Sequence, residues 1–141
     1  MEKPKFSQNM NRSATSHRFP VSSRKKYKKL KVWQESHKLT LEVYRITAIF
    51  PKEELYGLIS QMRRAAISVV ANIVEGQSRH GEKEFLKFLY IASASLAELE
   101  YYFDLSLDLK YINKRTFDKI DNQRLLVGKL LQGLILSLKK S

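Results

Sequence analysis

Cysteine is absent from the 141 residues, so disulfides, thiolate nucleophiles and cysteine-held zinc or iron–sulfur centres are all excluded. Proline occurs only three times and glycine five, which leaves long stretches with no helix breaker. The three histidines, His17, His37 and His80, are scattered too widely to pair at helical spacing, so neither a metal nor another cofactor is expected. No run approaches the roughly 18 apolar residues that a spanning helix needs, and the N-terminus has no apolar signal core. These absences lead us to expect a cytoplasmic protein with no membrane partner. Acids are scarce as well: 14 face 26 lysines and arginines, for a net charge of +12.

That charge is unevenly placed. Residues 1–31 carry ten basic side chains and one acid, a net +9, which leaves 16 basic and 13 acidic groups for the other 110 residues. Residues 1–26 are polar and aperiodic and read as a flexible basic leader; residues 27–141 read as the folded domain. The densest basic run is Arg24, Lys25, Lys26, Tyr27, Lys28, Lys29 and Lys31. Two readings of it stand: phosphate contacts with Tyr27 stacking on a base, or a solvated lead-in to the first helix.

Hydrophobic residues make up 43% of the chain, enough for one domain with a core of several helices. Helical periodicity marks a first helix from Leu30 to about Ile49, with Leu30, Trp33, His37, Leu41, Tyr44 and Ala48 as its face and Val32, Leu39, Val43 and Ile46 broadening it. Trp33 reads as an anchor at the bundle end, and His37 as a hydrogen-bonded structural histidine. Phe50-Pro51 ends this helix. Pro51 opens the second, with Lys52, Glu53 and Glu54 in its first turn and a terminus near Glu75-Gly76. The second helix carries the stripe Leu55, Leu58, Ile59, Met62, Ala65, Ala66, Val69, Val70 and Ile73. A turn from Gly76 to Gly81 follows, with Gly76 as a C-cap. The third helix runs from Glu82 to Leu109 on Phe85, Phe88, Leu89, Ala92, Leu96, Leu99, Tyr102, Phe103 and Leu107. The fourth spans roughly Lys114–Leu138, with Asn113 as N-cap and Phe117, Ile120, Leu125, Val127 and Leu131 among its buried residues.

Several polar groups interrupt these stripes. Arg63 and Arg64 differ by about 100° around the helix, so one is expected at the core edge and the other in solvent. An ion pair to Glu98 or Glu100, internal or between subunits, is the favoured role, with Arg64–Glu98 the specific pair; an anion-binding surface is the alternative. Asn72 reads as a polar inclusion that sets helix register. Arg79 extends a basic edge or faces water. Glu100, Asp104 and Asp108 share one stripe, but without an E-x-x-H pair they read as a solvated face and not as a di-iron site.

The stretches KLKVWQESHKLTLEVY, IFPKEELYGLISQMRRAAISVVANIVEG and KEFLKFLYIASASLAELE resemble the S23 ribosomal protein family, also called the 23S rRNA intervening-sequence-encoded family. The resemblance implies an all-α, up-down-up-down antiparallel four-helix bundle that assembles as a homopentamer. A more distant similarity is to the accessory variability protein of diversity-generating retroelements, which implies RNA binding and a reverse transcriptase as partner. Shared motif positions are Arg63, Arg64, Asn72, Glu75 and Gly76, with Ser95 and Glu98 from the S-x-x-E segment; none carries an implied catalytic role. Ala94 and Val74 stand where the family usually has glycine and alanine. The expected function is a non-enzymatic oligomeric bundle that binds nucleic acid, RNA above all, in a salt-dependent and largely non-specific way as an accessory or scaffolding factor. The alternative is a structural adaptor for protein partners.

Overall fold

The computed structural model describes residues 26–140. The reading of residues 1–26 as a flexible leader therefore falls outside the described residues, apart from Lys26. A 3₁₀ turn, Lys26–Lys29, leads into α1, Lys31–Thr47. A second 3₁₀ turn, Lys52–Glu54, precedes α2, Leu58–Ser78. Helices α3, Glu82–Asp108, and α4, Lys114–Lys139, complete the fold. α1 packs on α2 and α4, and α3 packs on the same two helices. This is the four-cornered arrangement of an antiparallel up-down-up-down bundle.

The buried stripes of α2, α3 and α4 follow the sequence pattern closely. Met62, Val69 and Ile73 meet Leu89, Leu99 and Phe103 in the core, with Ile120, Val127 and Leu131 from α4. Leu55 and Leu125 depart from expectation and are about half exposed. The larger correction concerns α1, where Val32, Leu39 and Val43 are buried as expected but most of the face named beside them is not. Its buried face is Val32, Glu35, Ser36, Leu39, Val43 and Thr47, while Leu41, Tyr44, His37 and Ala48 face outward. Two of its three buried polar residues find partners, while Ser36 Oγ has none among the described residues. Thr47 Oγ1 donates to Val43 O at 2.7 Å, and Glu35 is taken up by α4. Partnered polar groups such as Glu35 and Thr47 are tolerated in a core, so polarity alone misplaced the centre of the face.

The connections also differ from the sequence reading. α2 does not open at Pro51, because Gly57 adopts φ −113°, ψ −112° and separates the Lys52–Glu54 turn from the helix. Glu54 then accepts from the first helical amide, Leu58 N, at 3.3 Å and from Tyr111 Oη at 2.8 Å, which ties the α1–α2 loop to the α3–α4 loop. Gly76 is not a C-cap: α2 continues through it to Ser78. Its missing side chain lets α3 close in, since a Cβ there would stand 2.9 Å from both Phe85 Cδ1 and Phe88 Cβ. The glycine that the turn requires is Gly81, at φ +93°.

α3 ends in a Schellman motif: Tyr111 N donates to Ser106 O and Lys110 N to Leu107 O, each at 2.9 Å. The left-handed position is held by Lys110, φ +64°, a residue type that rarely takes it. Asn113 caps α4 as expected, its side chain accepting from Thr116 N at 2.8 Å.

Candidate nucleic-acid interface

The bundle end from which the basic run emerges is built on aromatic rings. Trp33 sits half-buried in the first turn of α1. Its ring stacks on His37 one turn later, with centroids 5.1 Å apart and planes 8° from parallel. Tyr27, in the 3₁₀ turn, tilts against Trp33, with centroids 5.4 Å apart and planes at 58°. His37 is therefore an exposed member of an aromatic ladder, where a hydrogen-bonded structural histidine on or beside the apolar face was expected. Around this ladder stand the exposed Lys26, Lys28 and Lys29. Gln34 Nε2 donates to Lys28 O at 3.0 Å and pins the turn to α1. Arg24 and Lys25 lie outside the described residues.

Lys31 is the best-held cation of this group. Its ammonium and that of Lys38 each stand 3.3 Å from Glu35 Oε1, while Gln123 Nε2 of α4 donates to Glu35 Oε2 at 2.8 Å. Glu35 is only 5% exposed. The Gln123 hydrogen bond holds its carboxyl below the usual range, with help from the lysines and against the opposing effect of burial. Nothing in the periodicity pointed to this buried carboxylate, because it sits at a core position of a helix whose apolar pattern suggests a different face.

Arg63 and Arg64 part as predicted, one at the core edge and one exposed. Within the chain neither meets Glu98 or Glu100. Arg63 Nε donates to Thr47 Oγ1 at 2.9 Å, and its guanidinium lies 4.5 Å over the Tyr44 ring. It thus binds α2 to the C-terminal end of α1, where carbonyl oxygens and the negative end of the helix dipole attract a cation. Glu100 instead faces Arg124 of α4 at 3.4 Å, and Arg124 Nε also donates to Asp121 at 2.7 Å. Glu98 accepts from Tyr102 Oη at 3.4 Å; burial, and then this carboxylate, raise the Tyr102 phenol. The described ion pairs do not include Arg64.

Asn72 and Ser95 do come together. Asn72 Nδ2 donates to Ser68 O at 2.7 Å and to Ser68 Oγ at 3.1 Å, and Ser68 Oγ lies 2.7 Å from Ser95 Oγ. This polar chain crosses from α2 to α3 and sets their register. Glu75 is exposed and pairs with Arg79, whose guanidinium covers the Phe88 ring at 5.1 Å. The antiparallel course of α1 and α2 puts Arg79 at the bundle end that holds Lys26–Lys29. Arg63, 16 residues earlier on the same helix, is about 24 Å away along its axis. The predicted cations are thus split between the two ends.

A second basic group, formed by Arg45 of α1 with Arg115 and Lys119 of α4, is invisible in the sequence because some 70 residues separate its halves. Among the described residues no group of three or more histidines and carboxylates could hold a metal ion, and no helix is long and apolar enough to cross a membrane.

A family profile described as 23S rRNA-intervening sequence protein matches residues 28–133. A solved structure, that of a protein of unknown function from the S23 ribosomal protein family of Bacteroides thetaiotaomicron, superposes with a TM-score of 0.68 at 24% identity. The match covers 74% of this chain and 94% of that one. Comparison with curated proteins gives no match. With the profile spanning most of the chain and the bundle shared, the protein belongs to the 23S rRNA-intervening sequence protein family.

Proposed function

We propose that this protein is a non-enzymatic accessory module that binds nucleic acid, RNA above all, at the bundle end carrying Lys26–Lys31. The observation that supports it is the Tyr27–Trp33–His37 ladder set among Lys26, Lys28 and Lys29. Stacking surfaces beside a basic track are what single-stranded nucleic acid requires, and they confer little sequence preference. In the sequence Arg24 and Lys25 directly precede the Lys26–Lys29 turn and add two further basic residues. Binding is expected to weaken steeply with salt. Fluorescence anisotropy across a salt series, with labelled RNA and duplex DNA, tests this. Replacing Lys26, Lys28 and Lys29 by Gln should lower the RNA salt slope by roughly two, given about 0.7 per neutralised single-strand phosphate. Absence of RNA binding at low salt would sink the proposal.

A second reading, a structural adaptor that assembles with protein, is favoured by the outward apolar residues. Leu41 and Tyr44 on α1 and Ile67 on α2 are exposed on the side where Arg63 reaches Tyr44. Leu55 and Ile59 continue this side into a groove of about 310 Å³. A second copy of the chain is the occupant this reading assigns, as in a homopentamer, with a reverse transcriptase or another protein as a further partner. Light scattering on the wild type and on Leu41→Glu with Ile67→Glu tests the assembly; one that dissociates in the variant, formed by a protein that shows no RNA binding by anisotropy, supports the adaptor.

A further inference from the structure

We infer that the groove between α1 and the first turns of α4 is a binding pocket for a sugar phosphate or nucleotide phosphate. It has a volume of about 240 Å³ and lies at the opposite end of α1 from the aromatic ladder. Arg45 is 14 residues from Lys31, about 21 Å along the helix, so the pocket is separate from the interface proposed above and does not depend on it.

Charge is the first argument. Arg45, Arg115 and Lys119 line the groove, and none of them belongs to an ion pair of the described residues. Glu42 is the one carboxylate in the lining, which leaves an excess of two positive charges. The second argument is where the cations stand. The first turn of α4 contains Lys114 and Arg115 and no acid, although a helix N-terminus disfavours positive charge. Lys114 is offset by Asp118 at 2.8 Å, whereas Arg115 has no such partner. A bound anion would relieve both the mutual repulsion and the conflict with the dipole.

The remaining lining defines the ligand further. Ile46 and Ile120 give the groove an apolar floor on which a sugar or base can pack beside the exposed cations. Thr116 adds a hydroxyl next to the cations. Glu42 would repel a bare phosphate but can accept from a hydroxyl or amine on an attached organic group. That combination selects a phosphate carried on a sugar over the inorganic ion.

Two-dimensional ¹⁵N–¹H spectra of the full chain, titrated with AMP, inorganic phosphate and a short single-stranded RNA, test the assignment. Saturable shifts are expected for the amides of residues 45–46 and 114–120 with AMP, RNA or both. AMP acting alone identifies a free nucleotide as ligand, and RNA acting alone identifies a nucleotide within a polymer. Arg115→Gln combined with Lys119→Gln should weaken the interaction about tenfold, and Lys129→Gln, about 15 Å further along α4, should leave it unchanged. Glu42→Gln should narrow the preference for AMP over phosphate. Absence of saturable shifts with every ligand overturns the inference, as do shifts that persist undiminished in the double variant. Loss of RNA binding in the Lys26, Lys28 and Lys29 variant with the pocket shifts intact leaves both proposals standing. Pocket binding of AMP without any RNA binding leaves only this one.

Discussion

Alanine at each of three helical glycines should move stability in opposite directions, although the chemical change is the same. At Gly133 an added Cβ would meet nothing within 4 Å, and at Gly128 the nearest atom, Leu96 Cδ2, is an ordinary contact at 3.5 Å. Both substitutions should gain the intrinsic preference of alanine over glycine, about 1 kcal/mol each. At Gly76 the new Cβ would stand 2.9 Å from Phe85 Cδ1 and Phe88 Cβ and 3.3 Å from Phe85 O. A Phe Cβ and a carbonyl oxygen move only with their backbone, so α3 itself must retreat. Overpacking of this kind costs about 1–3 kcal/mol. The offsetting propensity gain is below about 1 kcal/mol, because Gly76 lies in the last turn of α2.

Gly76→Ala should therefore lose about 1–2 kcal/mol, and the gap to Gly133→Ala should be about 2–3 kcal/mol. At about 4 °C per kcal/mol for a domain of this size, their melting temperatures should differ by about 8–12 °C. Urea and thermal unfolding followed by circular dichroism at 222 nm, at one fixed protein concentration, measure this directly. A Gly76→Ala variant as stable as Gly133→Ala would refute the claim that α2 and α3 close on that residue.

Two further outcomes follow from the connections and the buried carboxylate. Lys110→Gly should stabilise the fold by about 0.5–1 kcal/mol in the same assay, since glycine occupies the left-handed position without steric cost. Glu35 makes stability depend on acid pH. Its folded-state pKa is lowered, so its contribution is fully present above the ordinary glutamate value near 4.3 and is lost as pH falls through the lowered one. Glu35→Gln should remove that part of the acid-side slope, and Glu35→Ala should cost about 1.5–3 kcal/mol at neutral pH, the range for hydrogen bonds to a charged group. An unchanged pH profile in Glu35→Gln would show that the Gln123 contact does not hold the carboxylate.

Much of this protein was legible in the order of its residues. Three of the four apolar stripes, the Asn113 cap and the separation of Arg63 from Arg64 follow from local periodicity and capping chemistry, which depend on near neighbours in sequence. Family membership was legible too, through motifs that run along single helices. What tertiary structure alone decided are relations between helices. Glu35 is buried because Gln123, 88 residues away, supplies a donor to it. Arg63 serves the end of α1 because the antiparallel packing brings Thr47 and Tyr44 to it. Gly76 is a contact point because Phe85 and Phe88 return against it. The groove of Arg45, Arg115 and Lys119 exists only because the first and last helices are neighbours. A helix pattern records which side of a helix is apolar. Which polar groups that side can also bury depends on donors and acceptors from other helices, and these are set only when the bundle closes.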